Sequence, residues 1–104
     1  MTTTAQILRF EVPVNDQWHT ITLPGPIVHV ATRRPEVVEV WATTDGTWED
    51  RELRVYGTGQ QYPADNGNVC HVGTAIAADG ALVWHLMQRG PGRLAANSER
   101  PNLP

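Results

Sequence analysis

The chain has no lysine, one cysteine, one serine, one phenylalanine and no long apolar run. Each shortage excludes something. A lone cysteine forms no intrachain disulfide, which agrees with a reducing compartment, and it leaves a zinc site to be built from His and carboxylates. The only serine, Ser98, stands outside any Gly-x-Ser-x-Gly elbow, which argues against a serine hydrolase. A membrane helix needs roughly 18 apolar residues, and no run here approaches that length. The opening Met1-Thr2-Thr3-Thr4-Ala5-Gln6 lacks the basic and apolar regions of a secretion signal, so a cytoplasmic protein is expected.

Without lysine, all 8 basic residues are arginine, set against 11 acidic residues. The charge is uneven: residues 1–88 carry a net of −5 and residues 89–104 a net of +2. An acidic body disfavours non-specific nucleic-acid binding and anionic membranes, both of which depend on basic groups. At 104 residues the chain is long enough for one modest core and too short for two.

What is present is alternation. Leu8, Phe10 and Val12 share one face of residues 7–12 while Arg9 and Glu11 share the other, the period of 2 of a half-buried strand. Asn15-Asp16 then reads as a turn and residues 18–23 as a second strand, which suggests a hairpin. Further strands are expected at residues 27–31, 37–43, 51–58, 69–77 and 81–87, separated by Pro24-Gly25-Pro26, Arg33-Arg34-Pro35, Asp45-Gly46 and Asp79-Gly80. In the fifth strand Leu53, Val55 and Gly57 face one way and Arg54 and Tyr56 the other. No capped apolar repeat of period 3.6 is present. The pattern predicts an all-β domain over residues 1–88, a small antiparallel barrel or sandwich of about seven strands with little or no helix, followed by a Pro/Gly-rich flexible tail over residues 89–104.

The candidate chemistry is modest. Gly57-Thr58-Gly59 has neither a following helix nor the Gly-Lys-Ser/Thr of a phosphate loop, so it reads as a strand end. His19, His29, His71 and His85 fall on four different strands. A two-residue turn at Asp79-Gly80 pairs His85 with Thr74, which sends His71 and His85 to opposite faces unless a bulge shifts the register. The same register puts Cys70 on the His85 face but too far along for a dyad, and a buried structural thiol is the expectation. Glu49, Asp50 and Glu52, beside Asp45, read as a solvated hairpin loop. No catalytic constellation, metal site or cofactor follows.

Aromatic residues offer more. Trp84 belongs to an apolar run and should be core, whereas Trp18 is out of phase with Ile21 and Leu23, and Trp48 sits among polar residues. Exposed tryptophan near Tyr56 and Arg54 has the composition of a contact surface. The candidate binding surface is Trp18, Trp48, Arg54, Tyr56, Gly57, Thr58, Gly59, Tyr62 and His71, with the loop through Tyr62-Pro63-Ala64-Asp65-Asn66-Gly67 at its centre.

The segments Phe10-Glu11-Val12-Pro13-Val14, Trp18-His19-Thr20-Ile21-Thr22-Leu23-Pro24, Glu39-Val40-Trp41-Ala42, Arg54-Val55-Tyr56-Gly57-Thr58-Gly59, His71-Val72-Gly73-Thr74 and Leu82-Val83-Trp84-His85-Leu86 together resemble a family of short uncharacterised proteins of bacteriophages and prophages, actinobacterial hosts among them. The resemblance spans residues 7–87 and implies a viral origin and no catalytic residues. The expectation is a non-catalytic, phage-encoded binding or accessory protein, such as a host-modulating or counter-defence binder in the host cytoplasm. Two alternatives remain: a module that sequesters a small molecule or nucleotide, and a virion accessory or decoration protein. The partner is then a protein or a small ligand, and exposed strand edges make a homo-oligomer plausible.

Overall fold

The computed structural model describes residues 4–77 and 79–90. The tail expected from residue 89 lies outside the described residues beyond Gly90. Among the described residues seven strands form: β1 (Ile7–Pro13), β2 (His19–Leu23), β3 (Ile27–Arg34), β4 (Val37–Thr43), β5 (Glu49–Gly57), β6 (Val69–Ile76) and β7 (Val83–Arg89). A 3-10 turn, Asp65–Gly67, interrupts the connection from β5 to β6. The strands make two antiparallel sheets, one ordered β1-β4-β3 and the other β2-β5-β7-β6. The architecture is therefore all-β as the alternation predicted, and it is a sandwich rather than a closed barrel: β3 runs beside β6 on one flank, with no ladder joining them.

The alternating residues explain why two sheets stack. Val12, Val38, Val40 and Ala42 from the three-stranded sheet meet Leu23, Leu53, Val55, Ala75 and Leu86 from the four-stranded one in a single buried cluster. Each is the inward member of a period-2 pair, so burying it turns its neighbours to the outer faces. Trp84 packs against this cluster while only half-buried.

Two expectations about connectivity are corrected. β1 and β2 do not form a hairpin. Val12 pairs with Val38 in β4, and His19 pairs with Leu53 in β5, so the Asn15-Asp16 turn carries the chain from one sheet to the other. Glu49, Asp50 and Glu52 are not a loop either, because they open β5 opposite β2, where Thr22 donates a 2.5 Å hydrogen bond to Asp50 Oδ1.

The outer face of the three-stranded sheet carries a buried carboxylate. Glu39 is only 3% exposed. It accepts hydrogen bonds from Arg9 Nη1 at 2.7 Å and from Arg33 Nε at 2.7 Å. The hydrogen bond from Arg33, joined by the charges of Arg33 and Arg9, holds the Glu39 carboxyl below its ordinary value of 4.5 against the opposing effect of burial. A carboxyl depressed in the folded state contributes stability that is fully present above about pH 4.5 and is lost as pH falls through the folded value. Glu39→Gln is accordingly expected to flatten the acid limb of a melting-temperature profile between neutral pH and pH ~2. A variant whose profile overlays the wild type would contradict the assignment.

Candidate functional site

The site is built on the outer face of the four-stranded sheet. Tyr56 lies one strand step from Val55, which is inward, so it must point outward. On that face it makes a second apolar cluster with Val69 and Met87, against which Trp18 packs. Trp18 meets Tyr56 edge-on at 6.4 Å between ring centroids, and Tyr62, from the loop after β5, meets it edge-on at 5.9 Å. Two guanidiniums lie over these rings. Arg54 sits 4.6 Å from the Tyr56 centroid, and Arg89 sits 4.4 Å from that of Trp18 while its Nε donates at 2.8 Å to Glu52. Cation–π contact of this kind holds both arginine stems flat on the sheet.

The Gly57-Thr58-Gly59 segment closes one end. β5 terminates in a tight turn in which the Gln60 N–H donates to the Gly57 carbonyl at 3.1 Å, and the Gly57 N–H donates to Gln60 Oε1 at 3.0 Å. Gly59 has φ +89°, a left-handed conformation costly for any residue with a Cβ. The strand-end reading of these glycines therefore holds.

The reading of the histidines does not. β6 pairs with β7 as Gly73↔Leu86, Thr74↔His85 and Ala75↔Trp84, the register that Asp79-Gly80 predicts, but a shift lies between His71 and Gly73. Val72 is the extra residue of a β-bulge, so His71 pairs with Met87 instead of Gln88. Its side chain consequently turns to the His85 face, and the two imidazole centroids stand 5.9 Å apart. Cys70 is corrected by the same step. It pairs with Gln88, falls on the face opposite His85, and is exposed rather than buried, its Sγ donating to the Gly67 carbonyl at 3.2 Å. An exposed thiol should react with Ellman's reagent in native buffer at one equivalent per chain; reaction only after denaturation would refute this placement.

The bulge completes a line of hydrogen bonds. Thr58 Oγ1 lies 2.8 Å from His85 Nε2, His85 Nδ1 lies 3.0 Å from Thr74 Oγ1, and Thr74 Oγ1 lies 2.9 Å from His71 Nε2. The turn after β5 is thus tied across β7 to β6. Together these elements enclose a groove of about 330 Å³, lined by Tyr56, the turn Gly57 to Gln60, Tyr62, His71, His85 and Met87. That volume is at the lower end of small-molecule sites, which run from ~300 to ~1,000 Å³.

Six of the nine residues expected at a binding surface, Tyr56, Gly57, Thr58, Gly59, Tyr62 and His71, line this groove. Trp18 and Arg54 flank it through Tyr56. Trp48 stands apart, 55% exposed and just before β5 begins. Gln60, His85 and Met87 are lining residues that sequence reasoning missed, as it missed Thr74, which links the two histidines behind the lining. The signal for the two histidines was Gly73, since an isolated glycine inside a strand pattern marks a bulge.

Tyr56 is only 3% exposed, and its hydroxyl has no hydrogen-bond partner among the described residues. An orphaned buried hydroxyl costs about 1–3 kcal/mol. Tyr56→Phe is expected to leave thermal stability unchanged or raised, and a lowered melting temperature would count against this geometry.

Among the described residues no group of three or more His, Cys, Asp or Glu is placed to hold a metal ion, and no helix is long and apolar enough to cross a membrane. Fold and site together define a small two-sheet β-sandwich with an aromatic and histidine groove on one open face. The chain belongs to the family of the domain of unknown function DUF7352, whose model matches residues 3–95. No curated protein and no solved structure matches it.

Proposed function

We propose that this protein is a non-catalytic binding module whose ligand-holding element is the groove on the outer face of the four-stranded sheet. The observation that carries this reading is the convergence of Tyr56, Tyr62, Met87, His71 and His85 on one concavity. Its walls are aromatic and apolar, with a few polar edges, which is the usual make-up of a ligand pocket. No carboxylate, serine or cysteine lines it, so an acid–base pair of carboxylates or a thiol nucleophile has no place there.

A wider contact with a protein partner is the second reading, favoured by Trp18, Arg54 and Arg89 around the groove, since Trp, Tyr and Arg dominate interface energetics. A phage-encoded binder of a host protein would use the face in that way.

The test is amide chemical-shift mapping with a panel of small aromatic fragments. The groove reading expects shifts at Gly57, Thr58, Gly59, Gln60, His71 and Met87. A panel that perturbs none of them, or that perturbs the opposite sheet, overturns it.

A further inference from the structure

We propose that the groove takes an uncharged planar heteroaromatic ring, and that the chain Thr58, His85, Thr74, His71 sets whether His71 Nδ1 donates to the ring's edge or accepts from it. The proposal rests on the groove being the ligand site and adds the chemical class it holds.

The absence of charge in the ligand follows from the lining. No Arg, Asp or Glu lines the groove, and the flanking Arg54 is committed to the ring of Tyr56, so an ionic group inside would be desolvated without a direct counter-charge. The flatness follows from the walls. Tyr62 and the two imidazoles present π surfaces above the buried Tyr56 ring, and ring faces pack on such surfaces by offset or edge contacts.

The edge recognition follows from hydrogen-bond accounting. Both nitrogens of His85 are engaged, one by Thr58 and one by Thr74, so His85 offers a ligand only its ring face. His71 Nε2 is engaged by Thr74. His71 Nδ1 has no partner among the described residues and is the imidazole atom left to meet a ligand.

A neutral imidazole has one donor and one acceptor nitrogen, and a hydroxyl has a single proton to donate. These limits couple the four groups. In one arrangement Thr58 donates to His85 Nε2, His85 Nδ1–H donates to Thr74, Thr74 donates to His71 Nε2, and His71 Nδ1–H is a free donor. In the other every link reverses, and His71 Nδ1 carries a lone pair. Passing from the first to the second moves one proton along each of the three links, takes one from solvent at Thr58, and returns one to solvent from His71 Nδ1. Both arrangements therefore bear the same charge. In each of them His71 and His85 share one tautomer.

Long-range proton–nitrogen spectra of the histidine rings in alkaline buffer test the coupling, with indole as a donor-edged probe, quinoline as an acceptor-edged probe and N-methylindole as a control lacking the edge donor. Indole should drive both histidines to the Nε2–H form and quinoline both to the Nδ1–H form, and each should bind about fivefold more tightly than N-methylindole. In Thr74→Val, His71 should still respond while His85 no longer follows. Opposite tautomers on the two rings, or equal affinity for all three probes, would overturn the proposal while leaving the groove reading intact. Failure of every probe to shift the Gly57 to Gln60 amides would sink both.

Discussion

Leu86→Ala is expected to lower the unfolding free energy by about 2–5 kcal/mol, the cost of emptying a large aliphatic site in a packed core. Leu86 is fully buried, pairs with Val55 across β5 and β7, and faces the inner valines of the other sheet. It also pairs with Gly73, the first residue after the bulge. A small domain has only about 5–15 kcal/mol of net stability, so the loss is a large share of the total. Urea denaturation with an unchanged slope would report it as a shift in midpoint. A loss below 1 kcal/mol would show that the two sheets are not packed through this residue.

Gly73→Ala carries the second large effect, because the two sheets touch there with no room for a methyl group. A Cβ on Gly73 would lie 2.7 Å from Val30 Cγ2 and 3.1 Å from Val30 Cβ. Val30 is buried and β-branched, so its χ1 is restricted and it yields little room. Overpacking of this kind costs about 1–3 kcal/mol. Val30→Ala should lose stability by creating a cavity, yet the double variant should lose less than the two single losses combined, since the small residue makes room for the new methyl. Additive losses would mean that Val30 does not cover Gly73. The substitution also bears on the site. Pushing β6 away from β3 acts one residue from the bulge that aims His71, so fragment binding in the groove should weaken in Gly73→Ala and recover in the double variant.

Much of the fold was legible in the sequence because burial on one side of a strand writes itself as alternation. Leu53, Val55, Leu86 and Val40 are inward for that reason, and Tyr56 and Trp18 are outward for the same one. The end register of the last hairpin was legible too, through Asp79-Gly80, and Thr74 does pair with His85. Partner choice was not. β1 and β2 are neighbours in sequence with a turn between them, but nothing in a strand's own residues says whether its ladder forms with the next strand or across the sandwich. The pairing of β1 with β4 is a property of the whole stack.

The groove was half legible. The Tyr56-Gly57-Thr58-Gly59 end and Tyr62 were visible as a contact surface, whereas His85 was set aside by a parity rule that assumes an unbroken ladder. One extra residue, Val72, reverses parity for everything before it, carrying His71 onto the His85 face and Cys70 off it. The error and the site thus have one physical origin.

The central claim is that this bulge brings His71 and His85 together on the outer face of the four-stranded sheet, and the most direct test is a nuclear Overhauser experiment on the native protein with its histidine ring protons assigned. Rings with centroids 5.9 Å apart should give cross-peaks between the His71 and His85 ring protons, and His71 should also reach the Met87 side chain. Cross-peaks from the Val72 side chain to Met87, with none between the two imidazoles, would mean that β6 pairs without the bulge and would contradict the account.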